Sequence, residues 1–72
     1  MKPLLVKNNN GHDKRIGVWV STTGNEERTY ATVVREDGSV TDWNIDNITV
    51  ITSIYPFTCP VAALKDYIER IN

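Results

Sequence analysis

Four segments decide the fold: Arg15-Ile-Gly-Val-Trp-Val20, Tyr30-Ala-Thr-Val-Val-Arg35, Glu36-Asp-Gly-Ser-Val-Thr-Asp-Trp43 and Asn47-Ile-Thr-Val-Ile51. Each is rich in β-branched and aromatic residues and is bounded by turn-forming ones, the pattern of short β-strands. Ile16, Val18 and Val20 alternate with Gly17 and Trp19, the period of two of a half-buried strand, which turns Trp19 away from the main core. Over Thr29 to Arg35, Ala31 and Val33 take one face and Tyr30, Thr32 and Val34 the other. Asp37-Gly38 between these runs predicts a two-residue type I′ hairpin with both residues at positive φ. Val40 to Trp43 is its second arm, Asn44 to Asn47 a tight or 3₁₀ link, and Ile48 to Ile51 the last strand.

On the N-terminal side, Leu4 to Lys7 reads as a first strand, followed by the loop Asn8-Asn9-Asn10-Gly11-His12-Asp13. Ser21 to Glu27, polar and containing Gly24, reads as a connection. Past Ile51 the character changes. Pro56 and Pro60 stop any strand, and Thr58 or Cys59 before Pro60 marks a helix start, with Thr58 as the cap. Val61, Leu64, Tyr67, Ile68 and Ile71 then form one apolar stripe on a helix over 60–71, while Lys65, Asp66, Glu69 and Arg70 take the wet side. A helix of about three turns is not stable alone, so it docks on its own sheet or on a partner.

The chain has 72 residues, so it is one domain with a small core. The division predicted is a β domain over 1–53 and a C-terminal segment over 54–72. A lone Cys59 excludes an internal disulfide, and no stretch resembles a signal peptide or a membrane span. The chain reads as a complete, soluble, cytoplasmic protein. A net charge of −1 argues against a strong nucleic-acid binder, although residues 1 to 20 are basic and residues 21 to 51 acidic.

With these strands placed, the pattern over roughly residues 3 to 52 resembles an SH3-like small barrel of the broad KOW and Tudor type. Leu5-Val6-Lys7, the Arg15–Val20 run, Tyr30–Val34 with Asp37–Trp43, and Ile48–Ile51 carry the resemblance. Asp-Gly-Ser-Val-Thr-Asp-Trp followed by Ile-Thr-Val-Ile is also similar to small uncharacterised barrel proteins of tailed bacteriophages. The resemblance implies a mainly β fold, a five-stranded SH3-like barrel with a C-terminal α-helix, and for a viral protein the host cytoplasm. The spaced glycines of the KOW motif are replaced by Asn8-Asn9-Asn10, so RNA or ribosome binding is not carried over.

No set of acid, base, nucleophile or metal ligands stands out, so the chain reads as a non-enzyme without cofactor or metal. His12 reads as a solvated turn residue and Cys59 as a buried, inert thiol. The candidate binding face is Trp19, Tyr30 and Trp43; alternatively Tyr30 and Trp43 complete a second core beneath the helix. Lys7, Lys14 and Arg15 form a candidate basic patch. Val61, Leu64, Tyr67, Ile68 and Ile71 are a candidate helix interface, toward a partner or a second copy. The function expected is a small protein-binding accessory module, as a monomer or homodimer, acting on a host protein if viral. The alternative is weak RNA or single-stranded DNA binding through the basic N-terminal loop.

Overall fold

A computed structural model describes residues 3–9 and 16–71. Five strands, β1 (Leu4–Asn8), β2 (Ile16–Gly24), β3 (Thr29–Val34), β4 (Val40–Asn44) and β5 (Ile48–Ser53), are followed by one helix, α1 (Pro60–Ile71). A single 3₁₀ turn, Ile45–Asn47, links β4 to β5, with Asn44 capping it by accepting from the Asp46 amide at 2.9 Å. All pairings are antiparallel and the strand order is β4-β3-β2-β1-β5. The fold is therefore mainly β with a C-terminal helix. The sheet is open in its pairing, with β4 and β5 as its edges.

Both faces of the sheet are covered, and of the two dockings expected for the helix the chain takes the one on its own sheet. On one face Val6, Ala31, Val33 and Trp43 are buried together, flanked by Leu4, Trp19 and Ile48. On the other, Leu5 and Val18 meet Leu64 of α1, flanked by Ile16, Val20, Ile51, Ile54, Tyr67 and Ile68. Adjacent residues such as Leu5 and Val6 point to opposite sides of the strand, so β1 feeds both cores. Trp19 does not face away from a core: it lies opposite Leu4 on β1 and Val33 on β3, and packs with them. The register shift between Trp19 and Ser21 leaves Val20 as an extra residue, a β-bulge.

Several local expectations need correction. β2 continues through Ser21 to Gly24 and pairs with Thr29 to Thr32, so the connection shrinks to residues 25–28. Polarity there reports exposure, while Thr22 and Thr23 retain the strand preference of β-branched residues. Asn25 organises the short turn, accepting from the Glu27 and Arg28 amides.

The Asp37-Gly38 hairpin exists, but it is not type I′. Only Gly38 takes positive φ, at 86°, and no non-glycine residue among those described does. The Gly38 amide donates to the Arg35 carbonyl at 2.9 Å and the Arg35 amide to the Ser39 carbonyl at 2.8 Å, a type I turn followed by a glycine bulge. With Asp37 at negative φ, its carboxylate accepts from both the amide and the hydroxyl of Ser39.

At the helix start, the Ala63 amide donates to the Cys59 carbonyl at 3.0 Å. Cys59 therefore holds the N-cap position and Pro60 the first helical one, rather than Thr58 serving as the cap.

Candidate apolar groove between β5 and α1

The chain leaves β5 at Ser53, and the Ile54 amide is held by the Pro3 carbonyl at 2.9 Å. Tyr55-Pro56-Phe57-Thr58 then folds into a turn closed by the Thr58 amide on the Tyr55 carbonyl at 3.0 Å. With no cis peptide and no positive φ here, this is type I geometry with proline in its favoured second position. The turn holds Tyr55 and Phe57 edge to face, ring centroids 5.4 Å apart and planes at 66°. Tyr55 is 68% and Phe57 86% exposed.

Beside this turn runs a groove of about 530 Å³ between the end of β5 and α1. Leu5, Ile54 and Tyr67 give it an apolar wall, and Ala62 and Ala63 keep the helix side low enough to leave it open. Asp66 and Arg70 stand at its margin, paired at 3.0 Å and both well exposed. An ion pair so hydrated contributes little to stability, but it leaves the groove without net charge.

The structure divides the sequence-predicted aromatic face, with Trp19 and Trp43 on the Val6, Ala31 and Val33 core and Tyr30 on the other side of the sheet. Trp43 is only 7% exposed, in the core on the face opposite the helix, so its ring neither presents a contact surface nor completes a core beneath α1. The Arg35 guanidinium lies 5.5 Å from the Trp43 ring centroid, within cation–π range. Trp19 is half-buried, its indole N–H donating to the Ser21 carbonyl at 2.8 Å and the Thr22 hydroxyl at 3.2 Å. Tyr30, adjacent to Ala31 on β3, projects to the other face, half-buried. The three rings do not converge.

Of the helix stripe, Leu64 is fully buried, Tyr67 and Ile68 pack on the Leu5 and Val18 core, Val61 is half-buried and Ile71 remains 55% exposed. Most of that stripe is used within the chain. Lys7 is exposed on β1, whereas Lys14, Arg15 and His12 lie outside the described residues. Cys59 is exposed, not buried as expected, because the N-cap position sits at the open end of the helix. The aromatic pair escaped sequence reasoning: Tyr55-Pro56-Phe57 looked like a strand stop, although two aromatic residues flanking a proline in an uncharged segment were the available signal.

Among the described residues no three His, Cys, Asp or Glu side chains group to hold a metal, and no helix is long and apolar enough to cross a membrane. In comparisons with known proteins, no family model, no curated protein and no solved structure matches the chain.

Proposed function

We propose that the chain is a non-enzymatic protein-binding module on an SH3-like frame, which takes its partner at the β5–α1 groove and the Tyr55–Phe57 turn. The strand order supports that frame: a β2-β3-β4 meander, β1 between β2 and β5, and a 3₁₀ link before the last strand. The observation that carries the reading is the exposed pair itself. Burying a phenylalanine side chain is worth about 1.5–3 kcal/mol, a gain forgone at Phe57 in the isolated chain and recovered when a partner covers it. Aromatic residues beside an apolar groove are what protein interfaces use as anchors.

The test is a selection of binders from a random-peptide library on the immobilised full chain, followed by affinity measurements. The selected peptides should lose at least about tenfold in affinity for Phe57→Ala and Tyr55→Ala, variants whose circular dichroism matches the parent. Affinity untouched by both substitutions would place the partner elsewhere. The opposing result is tight, steeply salt-dependent binding of a single-stranded oligonucleotide that vanishes in Lys14→Glu with Arg15→Glu, which would replace this reading with nucleic-acid binding.

A further inference from the structure

The two edges of the sheet are treated differently. β4 carries exposed Asp42 at its centre, held by the Thr32 hydroxyl at 2.9 Å, and is flanked by Glu36, Asp37 and Asp46. A second β4 pairing antiparallel about Asp42 would set carboxylate against carboxylate, which destabilises a cross-strand pair. β5 has no such protection: from Asn47 to Leu64 there is no Asp, Glu, Lys or Arg, and β5 contains no proline. Charged side chains, proline and β-bulges are the usual guards of an open edge, and β5 carries only the last, at Ile51.

We infer that the outer edge of β5 pairs with β5 of a second copy, joining the two sheets about a two-fold axis. Among the described residues no strand occupies that edge. Charge favours another copy as its occupant: a neutral row meets an identical neutral row, with nothing to repel and no ion to strip of water. The geometry suits it too, because an antiparallel pair of identical strands is self-complementary about a two-fold axis. With the axis at Val50, that side chain, 48% exposed, faces its own counterpart. Val50 lies opposite Val6, on the sheet face away from α1.

The register shift between Leu5 and Val6 bends β5 beside Val50 and keeps the pairing short. An interface of that size falls at or below the about 1,200 Å² typical of weak, transient contacts, so association is concentration-dependent.

Light scattering of the full chain over about 10 μM to about 1 mM should show the mass rising from 8.2 kDa toward twice that value. Val50→Lys should remain folded and stay a monomer throughout, whereas Val40→Lys, on the 63%-exposed β4 position, should associate like the parent. Amide exchange of the parent gives a second reading independent of any variant, with protection in β5 growing with concentration. A parent that stays monomeric throughout, or a dimer that survives Val50→Lys, overturns the inference.

Discussion

At Gly17 strand β2 packs directly on a core side chain, and Gly17→Ala tests that contact. A Cβ added there would stand 2.1 Å from Val33 Cγ1, 3.1 Å from the Val34 carbonyl oxygen and 3.4 Å from Trp43 Cη2. Non-bonded carbons settle at about 3.5–4.0 Å, so Val33 Cγ1 would have to retreat by roughly 1.5 Å. It has little freedom to do so: Val33 is fully buried, stiff at χ1, and on a strand paired along both edges. Overpacking of this kind costs about 1–3 kcal/mol, offset by at most about 0.4–1 kcal/mol from a less flexible unfolded chain.

Val33→Ala alone should cost about 1.5–3 kcal/mol by loss of burial and by the cavity it leaves. In the double variant the Cβ at position 17 moves into the space that Val33 vacates, so the two costs should fall short of their sum by about 1–2 kcal/mol. A chain of this length has a total stability of about 4–11 kcal/mol, enough to keep both single variants folded. The assay is urea unfolding followed by tryptophan fluorescence, comparing midpoints at constant slope. A parent-like Gly17→Ala, or strictly additive costs in the double variant, would refute the close approach of β2 to Val33.

The docking of α1 predicts a contrast along its apolar stripe. Leu64→Ala should cost about 2–5 kcal/mol and Ile71→Ala, at a half-exposed position, about 0.5 kcal/mol or less; equal thermal shifts for the two would mean that the helix does not pack on the sheet in solution. At the hairpin, the Ser39 hydroxyl, followed by its amide, holds the Asp37 carboxyl below its ordinary value of 3.8. Because folding favours the ionised form, this contribution is present above about pH 3.8 and fades as the pH falls through the lowered value. The stability difference between the parent and Asp37→Asn should therefore shrink on acidification across that range; a difference that grows as the pH falls would contradict the Ser39 contacts.

Strand existence was legible because alternation and β-branched content are local signals. All five strands and the helix over Pro60–Ile71 follow from such patterns. What escaped them was set by contacts between elements. The type I′ expectation failed because Asp-Gly accommodates two turns, and the Ser39 partner with positive φ at Gly38 alone selects the other. The polar run Ser21 to Gly24 hid a strand because its partner Thr29 to Thr32, rather than burial, holds it in place.

The candidate site was less legible still. Trp19 and Trp43 stood out by size, yet size marks a core anchor and a contact residue equally well. Their burial depends on the sheet being covered on both faces, and neither strand carries that information by itself. The period of each strand, the stop signals at the prolines, the apolar stripe of the helix and the uncharged run from Asn47 to Leu64 are all readable along the chain, because each depends on residues close in sequence. That Leu5 and Val18 take up that stripe within the chain, that Trp43 is core, and that Tyr55 and Phe57 remain in water follows from the packing of distant segments. Burial depends on what packs on a side chain from elsewhere in the molecule, and no local pattern carries that.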